Sequence, residues 1–290
     1  MSRNLVVAFD CASDATSAAV LRCSRDASGF VVAGSARDEA GARHGGGVLL
    51  PLVAKLLQGA GADQENIAAL VVGTGPGTFT GVRIAVSTGR ALALALGRPV
   101  FGVSTLDVLA AQALLSTGAA SWTGPESAGR VVLTSVVDAR RRQVFAADYV
   151  LEPEGWTCNT VRAVDPEGVV STIGAMHPGA RVALVGAEAL VMKGDGQSGA
   201  LIMPQVLDAA HLVLGQEQLA GGRELMETLA RACAGPCGQR IPCGGDSGRD
   251  RDGMSRAGEP GSPELVNPIY VRPPDADTHI TKMRDPWGGR

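Results

Sequence analysis

The chain lacks a basic footprint. Its 290 residues carry 26 Lys+Arg against 29 Asp+Glu, a formal net charge of −3. A protein that grips nucleic acid unaided shows the opposite balance, and only Arg140-Arg141-Arg142 forms a local cationic cluster that could contribute to such contact. Histidine is scarce. His44, His177, His211 and His279 include no pair three or four residues apart, so no helix can present a two-histidine metal face. Cys233, Cys237 and Cys243 are spaced by four and six, which is not a zinc-finger spacing. No Gly-x-Ser-x-Gly elbow occurs, which leaves that kind of hydrolase without its nucleophile. Long apolar runs are missing too: Leu5–Phe9 is far shorter than a signal-peptide core, and Arg83, Arg90 and Arg98 interrupt the one extended apolar zone. The expectation is a cytoplasmic protein with reduced thiols and no metal.

What is present centres on Ala68 to Leu106. Ala68–Val72 is a short apolar run, the pattern of a strand covered on both faces. The turn Gly73-Thr74-Gly75-Pro76-Gly77-Thr78 follows, with Gly77 expected at the positive φ of a type II turn. Thr78 or Thr80 is expected to cap a helix running to about Leu96, which Gly97-Arg98-Pro99 stops. Val100–Val103 is the next strand, and Ser104-Thr105-Leu106-Asp107 has the spacing that opens one more helix. The turn is neither a Walker A loop, having no Lys-Ser/Thr, nor a dinucleotide fingerprint, because Thr78 stands at its third glycine.

Stepping the long helix at about 100° per residue from Val82 puts Arg83, Ser87 and Arg90 on one narrow polar stripe. Gly81, Ala85, Thr88, Gly89 and Leu92 share one side, Val82, Val86, Ala93 and Leu96 a second, and Ile84, Ala91, Leu94 and Ala95 a third. A helix this apolar is buried on more than one side. Either it is sandwiched within its own domain, or one face awaits another protein through the small row Gly81/Ala85/Gly89. On the second reading, Ala85→Arg or Gly89→Arg weakens association and leaves the monomer folded.

In chain order, Leu5–Asp10, Ala18–Leu21 and Phe30–Ala33 read as a three-strand meander, and Val48–Leu57 as a helix with Leu49, Leu52, Val53 and Leu56 on one side. Pro51 fits only its first turn. The pattern restarts at Val131–Val137 before Asp138, followed by strands at Val144–Val150, Val161–Val164 and Val182–Val185 and a helix over Gln205–Leu219. Two domains of one topology, or two unrelated α/β halves, both accommodate this restart. Cys233–Ser262 is rich in Gly, Arg, Asp, Ser and Pro and is expected to be a disordered insertion. Pro268–Arg272 is expected to dock on the core as a strand.

Aspartates at the ends of the first strands, Asp10 and Asp138, repeat the layout of the actin, Hsp70 and sugar-kinase superfamily. Its phosphate loops read Asp-x-Gly, whereas these read Asp10-Cys11-Ala12 and Asp138-Ala139-Arg140. Without that glycine the backbone N–H groups cannot close on a phosphate. Gly75-Pro76-Gly77-Thr78-Phe79-Thr80-Gly81-Val82-Arg83-Ile84, Gly89, Ala91-Leu92-Ala93-Leu94 and Gly102-Val103-Ser104-Thr105-Leu106 strongly resemble the bacterial TsaB (YeaZ) family. Ala8-Phe9-Asp10, Val137-Asp138-Ala139-Arg140 and Pro268-Ile269-Tyr270-Val271-Arg272 match its other landmarks in order. The sequence departs from the family at Gly45-Gly46-Gly47 and at Arg142-Gln143.

The resemblance implies an α/β fold of actin-like type, duplicated into two domains with mixed five-stranded sheets flanked by helices. The expected units are residues 1–104, 105–232, the insertion 233–262, and a docking strand with a loose tail at 263–290. It implies a non-catalytic partner of TsaD, joined by the ATPase TsaE, in forming N6-threonylcarbamoyladenosine on tRNAs that read codons beginning with A. ATP and Mg are then bound by the partners, tRNA is met through the complex, and the chain pairs with itself when alone. Partner contacts fall on Leu49, Leu52, Val53, Leu56, Val82, Ala85, Val86, Gly89, Leu92 and Ala93, and Asp10, Ser13, Asp138, Arg140 and Gly186 are vestigial phosphate-loop positions. The alternative is an enzyme of the same superfamily: an ATP-dependent kinase using Asp10, Asp138 and Gly186, or a metallopeptidase.

Overall fold

The computed structural model describes residues 3–24, 29–39, 47–117, 131–152, 155–186, 201–203, 207–214, 216, 219, 222–234 and 260–271. The tail beyond 271, most of the insertion (235–259), His44 and His279 lie outside them.

Two five-stranded mixed sheets repeat one plan. The first has the order β3-β2-β1-β4-β5, formed by β1 (Leu5–Asp10), β2 (Thr16–Cys23), β3 (Phe30–Asp38), β4 (Ile67–Gly73) and β5 (Val100–Val103). The second has the order β10-β9-β6-β7-β8, formed by β6 (Val131–Asp138), β7 (Val144–Glu152), β8 (Gly155–Val164), β9 (Arg181–Val185) and β10 (Leu201–Met203). In each, the first strand pairs antiparallel with the second and parallel with the fourth. That correspondence decides for two copies of one topology over two unrelated halves.

Each sheet is covered on both faces, so its inner strands are mostly apolar, with buried polar exceptions such as Thr134, Ser135 and Asp148 in the second. Every residue of β1 and β4 is buried. Helix α1 (Leu49–Gly59) lies over β2 and β3, with Pro51 inside its first turn, and α2 (Phe79–Leu96) lies over β4 and β1. Leu5, Val7 and Phe9 point toward these helices, while Val6 and Ala8 point the opposite way into a core shared with the second sheet. That shared core holds α3 (Thr105–Thr117), the short 3-10 turn Ala209–Leu212, and Leu133, Phe145 and Tyr149 of the second sheet. Helix α4 (Val169–Met176) covers the far face of the second sheet through Val169 and Ile173.

Several local expectations are corrected. The positive φ in the glycine turn belongs to Gly75 (85°), not Gly77, and the Gly75–Pro76 peptide is cis. Thr78 is the N-cap of α2 but its hydroxyl makes no cap bond; its N–H instead donates to Ala12 O at 2.7 Å, tying the turn to the end of β1. Among the described residues of Gln205–Leu219, the Ala209–Leu212 segment is a short 3-10 turn and not part of one continuous α-helix. The helix of this region is α5 (Gly222–Ala234), which reaches into the expected insertion and packs back on β4 and β1 of the first sheet. Residues 260–266 are likewise ordered parts of the body, Gly261 O accepting from Val100 N–H at 3.0 Å and Val266 lying in the core. Pro268–Val271 docks without forming a strand: Ile269 N–H donates to Thr74 O at 2.8 Å.

Candidate functional site

The loops that follow β1 and β6 carry the two strand-end aspartates, Asp10 and Asp138. Asp10 closes β1 and is fully buried. Its Oδ1 accepts the Ala12 N–H at 2.5 Å and its Oδ2 accepts the Thr105 hydroxyl at 2.7 Å. Both oxygens are therefore engaged within the chain. Gly73 makes room for this carboxyl, because a Cβ there would stand 1.7 Å from Oδ2. Burial pushes the Asp10 carboxyl up, opposed by the bonds from Ala12 and Thr105 and by the charge of Arg37. Burial and the neighbouring Asp10 push the Cys11 thiol up to about 12, so it carries no thiolate at neutral pH.

The second loop is closed by arginine. Arg140 N–H donates to Asp138 Oδ1 at 2.7 Å, and its guanidinium pairs with Asp138 at 3.0 Å and also with Asp14, across from the first loop. The exposed pairs contribute little stability, but they set where the arginine lies. Arg140, Arg141 and Arg142 all take positive φ, at 61°, 55° and 60°, a conformation that costs about 1–2 kcal/mol per non-glycine residue. Gly186 (φ 135°) ends β9 against Val136, where a Cβ would be 2.2 Å from the carbonyl oxygen. Ser13 bonds to Ala15 within its own turn. The five vestigial positions thus lie at the two loops and at the end of β9, and one arginine spans the loops.

Most of the expected partner-contact residues face the chain's own first sheet. Leu49, Val53, Val82, Ala85, Val86, Gly89 and Ala93 are buried against the chain's own first sheet, and Leu52, Leu56 and Leu92 are half-buried. The small row is tight because the helix backbone meets backbone at one end and a core side chain at the other: a Cβ at Gly81 would lie 1.8 Å from Cys11 O, and one at Gly89 2.5 Å from Val72 Cγ2. The small residues bring α2 onto its own sheet. What α2 turns outward is the third row, with Leu94 59% exposed, Ala91 and Ala95 exposed and Ile84 half-buried, beside the polar Arg83 and Ser87. On α1 the outward apolar residue is Leu50, 50% exposed.

Two side-chain groups have no forerunner in the sequence pattern. Arg83 stacks over Phe79 at 3.7 Å and donates from Nε to the Tyr270 hydroxyl at 3.1 Å, which pins the docked segment to α2. On the far face of the second sheet Asp148 is fully buried and gripped by Arg162 through two bonds of 2.6 and 3.0 Å. Among the described residues, no three of His, Cys, Asp and Glu come together as a metal site.

The family model described as TsaD: tRNA N6-adenosine threonylcarbamoyltransferase matches residues 39–172. An uncharacterized protein of Mycobacterium tuberculosis is 33% identical over 182 residues, spanning 63% of this chain and 72% of that protein. The tRNA threonylcarbamoyladenosine biosynthesis protein TsaB of Escherichia coli is 37% identical over 117 residues, spanning 40% of this chain and 46% of that protein. The structure of YeaZ from Pseudomonas aeruginosa superposes with a TM-score of 0.58 at 24% identity, covering 92% of this chain and 99% of that one. It shares the duplicated α/β fold. By its fold, by its motifs in their order and by these relatives, the chain belongs to the TsaB (YeaZ) family.

Proposed function

We propose that this chain is a non-catalytic subunit in the biosynthesis of threonylcarbamoyladenosine on tRNA, and that it acts by binding TsaD. Several relatives carry the name of that pathway, and the match to the TsaD family model points to a partner of the same fold. The observation that carries the non-catalytic part is the state of the two loops: Asp10 spends both oxygens on Ala12 and Thr105, and Arg140 bridges Asp138 and Asp14. Fully buried and bonded at both oxygens, this carboxylate presents no solvent-facing oxygen to a metal-bound phosphate. ATP and Mg then belong to the partners TsaD and TsaE, and the outward row of α2 with Leu50 of α1 supplies the docking surface. In its absence a second copy would cover the same surface.

The test is reconstitution. TsaD and TsaE with the enzyme that supplies the threonylcarbamoyl group are expected to modify tRNA only when this chain is added. Equal modification without it, or calorimetric binding of Mg-ATP by the isolated chain, overturns the proposal.

A single substitution separates this from the kinase reading. Asp10→Asn keeps an acceptor for Ala12 N–H and removes a buried charge, so reconstituted modification is expected to stay within about twofold of wild type, where loss of a catalytic carboxylate costs orders of magnitude. Because the folded carboxyl sits above its unfolded value, the folded state holds the proton more tightly. The stability this contributes is complete below the unfolded carboxylate range and is lost as pH rises through the folded value. Asp10→Asn is therefore expected to flatten the decline of stability above the acid range and to match or exceed wild-type stability at pH 7. Urea unfolding at pH 5 and pH 7 measures both, and a large loss of activity in a stable Asp10→Asn protein favours the kinase.

A further inference from the structure

A cavity of about 380 Å³ lies away from the loops described above, between β5, the start of α3, the helix α5 and residues 260–266. That is within the range of small-ligand sites. Its walls include the apolar side chains of Phe101, Leu219, Leu225 and Leu265. Its charge is of one sign: Asp107 and Glu224 line it, and no lysine, arginine or histidine does among the described residues.

Asp107 is held in place from behind. The Tyr149 hydroxyl donates to its Oδ1 at 2.6 Å, which fixes the carboxylate in the first turn of α3 and leaves Oδ2 without a hydrogen-bond partner among the described residues. Burial pushes this carboxyl up, as expected where no cation stands beside it. Glu224, in the first turn of α5, is exposed and has no ion pair among the described residues. At the wall, β5 is an edge strand. Pro99 and Val103 direct their carbonyls to β4, so alternation turns both the carbonyl and the N–H of Gly102 outward, one acceptor and one donor. Ser104, Gln216 and Thr228 also line the cavity and can donate as well as accept, so the choice of a cation rests on the two carboxylates, which when ionised only accept. The complement is a donor-rich cation with an apolar body.

We propose that this cavity binds a small organic cation, an alkylammonium or alkylguanidinium, with its head on Asp107 and Glu224 and its hydrocarbon stem along Phe101, Leu225 and Leu219. An anion is repelled by both carboxylates, and a neutral alcohol gains the stem contacts but no charge-assisted bond. The described lining therefore disfavours a phosphate or nucleotide.

Titration calorimetry of the full chain with n-pentylamine and with agmatine tests this, with 1-pentanol as the neutral control. Both amines are expected to bind one per chain and the alcohol at least about tenfold more weakly, the loss of a charge-assisted bond. Glu224→Gln is expected to weaken amine binding about tenfold, and Leu225→Trp, which fills the cavity, to abolish it. Glu224 is exposed, so its variant keeps the fold and decides the outcome even if Asp107→Asn loosens the contact with Tyr149. Absence of binding by both amines at millimolar concentration overturns the proposal, as does binding that neither Glu224→Gln nor Leu225→Trp changes.

Discussion

Gly89→Arg is expected to unfold the first half of the molecule, and Leu94→Arg, five residues further along the same helix, is expected to leave it folded and cost it its partner. At Gly89 even a Cβ would stand 2.5 Å from Val72 Cγ2 and 3.6 Å from the Phe9 ring, on a sheet whose residues there are fully buried. A guanidinium at that place must displace the sheet or lie unpaired inside it. Overpacking costs about 1–3 kcal/mol and an uncompensated buried charge several more. The sum is comparable to the whole stability of an ordinary domain. Ala85→Arg, at a position with no exposure, is expected to behave alike. Leu94 is 59% exposed, and arginine is about as good a helix former as leucine, so stability is expected to stay within about 0.5 kcal/mol. Placed in an apolar contact, the new charge weakens association at least about tenfold. Far-UV circular dichroism with urea titration reads the first effect, and sedimentation or pull-down with TsaD reads the second. A folded Gly89→Arg, or full association of Leu94→Arg, refutes the assignment of faces on α2.

The sequence pattern leaves the apolar faces of α2 unranked. The wheel of α2 correctly sets Arg83 and Ser87 toward solvent. It cannot rank the remaining arcs, because small residues at a four-residue spacing mark close approach without saying to what. Gly81, Ala85 and Gly89 meet Cys11, Val72 and Phe9 of their own sheet, and that requires knowing that β1 and β4 are neighbours. The strands themselves were legible, since Leu5–Phe9 and Ile67–Val72 are continuous apolar runs buried on both faces and Val131–Val137 is interrupted only by Thr134 and Ser135. Asp10 and Asp138 were legible as strand-end positions, and their bonds to Thr105 and Arg140 were not. Helix α5 was missed for a different reason. Its apolar residues Leu225, Met226 and Leu229 are few among charged neighbours, and the glycine-rich stretch that follows drew the boundary too early. The cavity beside it depends on that helix folding back on the first sheet, a long-range event that local pattern does not contain.

Asp148→Ala is expected to be among the most destabilising single truncations in the second half, costing about 3–5 kcal/mol, the usual effect of stripping one member from a buried ion pair. Asp148 has no exposure and Arg162 little, and Arg162 Nε is buried without a partner. The carboxylate also accepts the Thr134 hydroxyl at 2.7 Å, and His177 Nε2 lies 3.8 Å from it. Thr134 and Asp148 are direct cross-strand neighbours on β6 and β7, so removal of the acid leaves a hydroxyl and a guanidinium facing apolar Val136 and Val150 beneath α4. The penalty comes from what is left behind more than from the bonds lost. Replacing both ions therefore hurts less than replacing one: Asp148→Ala with Arg162→Met is expected to be more stable than Asp148→Ala alone, with a coupling of about 1–3 kcal/mol in the double-mutant cycle. Urea unfolding of the four proteins measures it. Additive losses would mean that the two charges are solvated independently and that this face of the sheet opens to water, and the position of α4 over the ion pair would then be wrong.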